Sequence, residues 1–96
     1  MPDDADSPRP ALDFNAFVLS LGSSVIINLG EAPDPSTGEK QPTDLALAQQ
    51  SIDLLALLQE KTRGNLTVDE ARFLDQILYD LRTLYVTVAR RPANKP

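Results

Sequence analysis

The sequence contains no cysteine, no histidine and no tryptophan, and only three phenylalanines and two tyrosines among its 96 residues. Without cysteine the chain forms no disulfide and carries no thiolate nucleophile. Without histidine it lacks the side chain that most often serves as a general base or a neutral metal ligand. With so few aromatic residues, the core must be built mainly from aliphatic side chains. These absences predict a protein that is not an enzyme and that holds no metal and no cofactor.

Negative charge predominates, with 14 acidic residues against nine basic ones and a formal net charge of -5. The phosphates of a nucleic acid would be repelled by the average surface of such a chain. Three basic residues near the C-terminus (Arg90, Arg91 and Lys95) are too few to reverse this. Nucleic acid is therefore not an expected partner.

Ninety-six residues correspond to a single domain. Residues 1–12 are acidic and proline-rich, with no basic stretch followed by an apolar run, so they resemble a disordered tail and not a signal peptide. Residues 13–90 carry the helical patterns and form the predicted domain. Residues 91–96 are predicted to be a flexible basic tail.

Three helices are predicted, at about 13–29, 43–63 and 67–90, with a loop at 31–42. Asp13 is placed to cap the first helix and Gly30 to end it. Either Thr43 or Asp44 caps the second helix. The predicted fold is all-α: an antiparallel hairpin of helices 2 and 3, with helix 1 packed across it.

The corner between helices 2 and 3 has the strongest local signals. Lys61 and Arg63 are predicted to lie in the last turn of helix 2, where cations meet the negative end of the dipole. Gly64 suits the left-handed exit of a helix. Thr67 and Glu70 have the spacing of a capping box at the start of helix 3.

The same corner carries a family resemblance. Its residues, with several segments elsewhere, resemble the bacterial domain-of-unknown-function family 1844 over roughly residues 12–88. The resemblance implies a short, cytoplasmic, helical protein and brings no activity or ligand with it. The segments that carry it are residues 51–55 (SIDLL) and 58–67 (LQEKTRGNLT), with residues 17–21 (FVLSL), 29–30 (LG), 35–38 (PSTG) and 78–82 (LYDLR).

Helical periodicity assigns the apolar faces. Helix 2 is apolar over about half of its circumference, which predicts contact with two neighbouring helices. Helix 3 has a heptad-like pattern that suits one arm of a hairpin. The stripes are Phe14, Phe17, Val18, Leu21, Val25 and Leu29 in helix 1; Leu45, Ala48, Ile52 and Leu55 beside Leu47, Leu54 and Leu58 in helix 2; and Leu74, Ile77, Leu81, Leu84 and Val88 in helix 3.

Helix 1 has no charged residue between Asp13 and Glu31. Its apolar content falls short of the ~20 residues that a membrane span needs, and it lacks the basic rim of a membrane-surface helix, so no membrane contact is expected. The reverse side of this helix mixes aliphatic and small residues, which predicts a homodimer interface. The alternative is that the 31–42 loop or helix 2 covers this side. The predicted interface consists of Ala16, Leu19, Ser20, Ser23, Ile26 and Ile27.

A second candidate site is the corner itself. Lys61, Thr62, Arg63 and Asn65 stand beside the free N–H groups that open helix 3, an arrangement that can hold an anion or a phosphate. Helix capping alone explains nearly all of these residues, so both interpretations stay open. Tyr79, among polar positions of helix 3, is either an exposed contact point or a side chain that extends along the surface.

No other group of residues indicates catalysis. Ser20, Ser23 and Ser24 have no base beside them, and Asp53 and Glu60 share a face that solvation explains. The sequence therefore predicts a non-enzymatic module for self-association and for binding an unknown protein partner. The alternative function is binding of a small anion or phosphate ligand at residues 61–65.

Overall fold

The computed structural model describes residues 13–92, which form three α-helices: α1 (Phe14–Asn28), α2 (Leu45–Lys61) and α3 (Val68–Arg90). Within that range the only β-type pairing is an isolated bridge between Pro33 and Lys40. Each helix packs against the other two. The predicted all-α class is therefore confirmed. The predicted N-terminal tail, and residues 93–96 of the C-terminal one, lie outside the described residues.

Carboxylates cap the first two helices. The side chain of Asp13 accepts a hydrogen bond from the Ala16 N–H at 2.7 Å, and that of Asp44 accepts one from the Leu47 N–H at 2.9 Å. Thr43, the alternative cap of α2, instead donates its hydroxyl to the Leu29 carbonyl oxygen at 3.1 Å. This long-range bond leaves Asp44 to begin the helix.

α1 ends at Gly30, as predicted. Gly30 has a φ of 77°, its N–H donates to the Ile27 carbonyl oxygen, and the Glu31 N–H donates to that of Ile26. These two bonds are those of a Schellman motif, which satisfies the last carbonyl groups of a helix. The chain then approaches Gly30 again, since a Cβ added there would lie 3.0 Å from the Gln41 carbonyl oxygen.

The 31–42 loop is held by its own hydrogen bonds. Asp34 Oδ1 accepts from both the N–H and the hydroxyl of Ser36, and the Gly38 N–H donates to the Asp34 carbonyl oxygen. The bonds from Ser36 keep the pKa of Asp34 below its ordinary value. At the start of the loop, Glu31 Oε2 lies 2.9 Å from Arg91 Nη1. This ion pair connects the end of α1 with the end of α3.

The core is aliphatic, as the scarcity of aromatic residues predicts. Each helix contributes to it, and the partly buried aromatics (Phe14, Phe73 and Tyr85) pack around its edge. The α3 pattern and the first α2 stripe are confirmed as core faces. The buried hydrophobic residues are Val18, Val25, Leu29, Ala48, Ile52, Leu55, Leu74, Leu78, Leu81 and Val88.

Substitution by alanine should have opposite effects on stability at Gly30 and at Gly22. Gly30→Ala is expected to lower the free energy of unfolding by more than about 1 kcal/mol, because the new Cβ meets Gln41 and Thr43 and the residue keeps a positive φ. Gly22→Ala is the control. Its Cβ would lie 3.5 Å from Ile77 Cγ2, an ordinary contact, and alanine favours the helix by roughly 0.5–1 kcal/mol. Urea denaturation compares the two; equal destabilisation would contradict this account.

The Glu31–Arg91 pair predicts a pH dependence. The hydrogen bond from Arg91 holds the pKa of Glu31 below its ordinary 4.5 in the folded protein. Its contribution to stability is therefore present above the unfolded-state pKa and is lost as the pH falls through the lower folded-state pKa. Glu31→Gln should flatten this part of the stability–pH curve slightly, because both partners are partly exposed. Arg91→Met should have the same effect, and the double variant should add nothing further. A Glu31→Gln protein that loses as much stability in acid as the wild-type protein would rule out the ion pair as the cause of this pH dependence.

Candidate functional site

The corner at residues 61–65 is ordered by hydrogen bonds within the chain. α2 ends at Lys61, and Arg63 lies beyond the helix, which corrects its predicted place in the last turn. The Thr62 hydroxyl donates to the Leu58 carbonyl oxygen at 2.8 Å, and Gly64 then turns the chain with a φ of 84°. Arg63 is therefore part of the turn and not of the helix.

Arg63 has an anionic partner of its own. Its Nη2 lies 2.7 Å from Glu60 Oε1, and this hydrogen bond raises the pKa of the guanidinium. Both side chains are largely exposed, so the pair is readily screened by salt. An anion that bound here would have to compete with the Glu60 carboxylate.

The N-terminus of α3 is also occupied. The predicted capping box is present: Thr67 Oγ1 accepts from the Glu70 N–H at 3.1 Å, and Glu70 Oε1 accepts from the Thr67 N–H at 2.9 Å. Asp69 adds a second carboxylate in this first turn. The corner brings the four predicted site residues together, but acidic groups already stand where an anion would bind.

The predicted homodimer face of α1 divides into two parts. Ala16, Leu19, Ser20 and Ser23 are exposed. Ile26 and Ile27 are both partly buried, and Ile26 packs against the core. The structure therefore leaves four of the six predicted interface residues open on the surface.

Phe17 differs from its predicted place in the core, since 43% of its surface is exposed. The buried line of α1 runs instead through Val18, Gly22, Val25 and the cap residue Leu29. Ile77 and Leu81 of α3 pack against α1 at Gly22, where a small residue fits. α1 therefore presents its Gly22 side to α3 and has Phe17 on the side that faces α2.

An apolar groove lies between α1 and α2 as a result. It encloses about 320 Å³ and its walls are almost wholly hydrocarbon. Leu54 and Leu57 are about half exposed, at 51% and 52%. We name this feature the α1–α2 groove; it is lined by Phe17, Leu21, Leu54, Leu57 and Leu58, with Lys61 at one end.

The α1–α2 groove is also poor in charge. Residues 14–30 contribute none, and Lys61 is the one charged side chain in its lining. Asp53 and Glu60 border the groove on the outer side of Leu57, about 40° and 60° around α2 from it by the 3.6-residue period. Burial of the groove lining against a partner would therefore remove one charge from water, with these two carboxylates at the edge of the contact.

The second α2 stripe is only partly a core face. Leu58 packs against the core, whereas Leu47 and Leu54 are exposed. Leu57 belongs to no predicted stripe. Its spacing from Leu54 and Lys61, three and four residues, would have placed it beside them on the helix surface.

A family comparison covers most of this architecture. The sequence profile of a domain of unknown function, DUF1844, matches residues 11–87. The chain belongs to the DUF1844 family. No curated protein and no solved structure matches it. The matched range includes α1, α2 and most of α3, so the groove and the corner are both parts of the DUF1844 domain.

The described part of the DUF1844 chain has neither a metal-binding cluster nor a membrane-spanning helix. In residues 13–92, no three acidic side chains converge closely enough to hold a metal ion. None of the three helices in the same range is long and apolar enough to cross a membrane.

The corner geometry predicts which residues matter for stability. Thr67→Ala should lower the free energy of unfolding by about 1 kcal/mol, because it breaks the capping box. Replacing Lys61 and Arg63 together with alanine should leave the denaturation midpoint nearly unchanged, since both side chains are exposed. Inorganic phosphate should shift the Tm of the wild-type protein no more than that of this double variant. A phosphate-dependent rise in Tm that the double variant loses would instead support an anion site.

Proposed function

We propose that this DUF1844 protein is a non-enzymatic module for self-association and protein binding, and that the α1–α2 groove is its principal contact surface. The observation that carries the proposal is the half-exposed state of three large apolar side chains, Phe17, Leu54 and Leu57, in one groove with almost no charge. Contiguous apolar surface of this kind in a small protein is typical of an interaction site.

The free energies of burial and of association indicate how much surface the contact must include. Full burial of a Leu or Phe side chain contributes about 1.5–3 kcal/mol, so completing the burial of three half-exposed residues contributes roughly half of that each. Association costs at least about 4 kcal/mol in lost translational and rotational freedom. The groove alone is therefore marginal, and a stable complex has to include neighbouring surface.

The outward face of α1 supplies that surface. Ala16, Ser20 and Ser23 are exposed and small, so a second backbone can approach closely, and Leu19 adds apolar area beside them. For a chain this short, a second copy would bury surface that its own core cannot cover. In a two-fold dimer the same face would meet its copy. The proposed oligomer is a homodimer, and the same groove would serve for an apolar helix of a protein partner.

Anion binding at residues 61–65 is the alternative function. Lys61 and Arg63 supply positive charge at that corner, but Glu60, Asp69 and Glu70 offset it. The apolar groove has no comparable opposition, which favours the interaction module.

Leu57→Glu tests the proposal. It places a carboxylate in the α1–α2 groove, and half of the Leu57 surface is already exposed, so the fold should survive. Sedimentation equilibrium at tens of micromolar should give a lower average mass than for the wild-type protein, with unchanged helical circular dichroism. Ile27→Glu should also lower the average mass if the predicted α1 interface takes part in the self-association. Gln41→Glu, which adds the same charge on the exposed loop, is the control.

Two results would contradict this function. A wild-type protein that is monomeric at these concentrations has no self-association to explain. A Leu57→Glu protein that is folded and keeps the wild-type mass assembles through some other surface.

A further inference from the structure

The outer side of α3 carries a second line of exposed apolar residues. Val68 and Tyr79 are each 67% exposed, and Val86 is 44% exposed. Tyr79 is eleven residues after Val68 and seven residues before Val86, which corresponds to about three and about two helical turns. The three residues therefore lie within about 20° of one another around the helix. The buried residues Leu74 and Leu81 lie on the opposite side. We name this feature the α3 line: Val68, Tyr79 and Val86.

Two opposite charges flank the α3 line on one side. Asp75 and Arg82 are seven residues apart, so both lie on the same edge of the line, one on each side of Tyr79 along the helix. They border a shallow depression of about 560 Å³ together with Tyr79 and Val86. Neither forms an ion pair with another residue in the range 13–92; Asp75 Oδ1 only accepts a hydrogen bond from Gln59 at 3.3 Å.

This arrangement is complementary to itself. The midpoint between Asp75 and Arg82 falls within half a residue of Tyr79, which is less than about 1 Å along the helix axis. We propose that the α3 line is a two-fold contact on which α3 of a second copy packs antiparallel, with Tyr79 at the axis. A two-fold rotation there sets Asp75 opposite the partner's Arg82 and Arg82 opposite the partner's Asp75.

The charges also select the direction of packing. A parallel copy in register would set Asp75 against the partner's Asp75 and Arg82 against the partner's Arg82, and like charges in contact disfavour association. The antiparallel copy replaces both repulsions with attractions. It also places Val86 beside the hydrocarbon stem of the partner's Arg72, so that apolar surface is covered on both sides of the axis.

The α3 contact is weak and depends on salt. Exposed ion pairs contribute little, and the Debye length is about 8 Å at physiological ionic strength. The contact is separate from the α1–α2 groove, because it lies on a different helix and on the side of α3 that faces away from the core. A chain with both contacts would assemble beyond a dimer.

Charge reversal tests the contact. Asp75→Arg and Arg82→Asp each set like charges opposite one another at both ends of the two-fold, and each should lower the association constant by at least about tenfold. The double variant restores both pairs with exchanged signs and should associate as the wild-type protein does. Mixing the two single variants should form a heterodimer, because one chain then carries two basic residues at these positions and faces two acidic ones on the other. Asp80→Arg, on the same helix but off the line, is the charge-matched control.

The measurement is sedimentation velocity, repeated at about 50 mM and about 500 mM salt to vary the screening, with helical circular dichroism as the check on folding. Each variant is made both in the wild-type chain and with Leu57→Glu, so that the α3 contact is read with and without the α1–α2 groove. The proposal is supported if the protein still associates with Leu57→Glu, associates less in each single charge variant and associates again when the two single variants are mixed. This result does not depend on whether the α1–α2 groove also forms a contact. Single variants that associate like Asp80→Arg, or a mixture that associates no better than its components, would overturn it.

Discussion

Close packing of α1 against α3 at Gly22 is the contact on which the rest of the surface depends. Ile77 and Leu81 lie so near this position that a glycine or an alanine fits there, whereas a larger side chain would hold α3 away. Val18, Val25 and Leu29 are thereby fully buried. Phe17 is turned out of the core, and the space between α1 and α2 remains an open apolar groove.

Helix caps and hydrogen-bonded connections hold the helices in this arrangement. Each helix begins at a side chain that accepts a backbone hydrogen bond, and α1 ends in a Schellman motif. The corner between α2 and α3 contains the same kind of helix-capping interactions. Its threonine and glutamate complete the backbone hydrogen bonding at the start of α3, and its glycine turns the chain with a positive φ.

The outer surfaces of the DUF1844 domain differ in their chemistry. The lining of the α1–α2 groove is apolar with one charged residue, whereas the α3 line is flanked by the charged residues Asp75 and Arg82. A contact through the groove would gain from the exclusion of water and would not be weakened by charge screening. A contact through the α3 line would select direction through charge and would weaken as salt is added.

Local chemistry in the sequence determined the helices, the capping residues of α1 and α3, the glycine turns, the core face of α3 and the core face formed by the first α2 stripe. These features depend on residues within a few positions of one another, so the pattern alone predicts them. The pattern also predicted the capping box of Thr67 and Glu70, although it placed Arg63 inside the last turn of α2. The exposed part of the predicted α1 face followed from its position on the helical wheel, on the reverse side from the apolar core stripe.

Only the tertiary structure decided how the helices are rotated against each other. That rotation sent Phe17 outward and Ile26 toward the core, left Leu54 and Leu57 in an open groove, and paired Glu31 with Arg91, sixty residues away. It also gave Thr43 a carbonyl partner on α1, which left Asp44 as the cap. A helical wheel assigns a face to each residue but not a neighbour to each face. The neighbour depends on how closely two backbones approach, and α1 meets α3 on its Gly22 side, where the residue is small enough for Ile77 and Leu81 to pack against it.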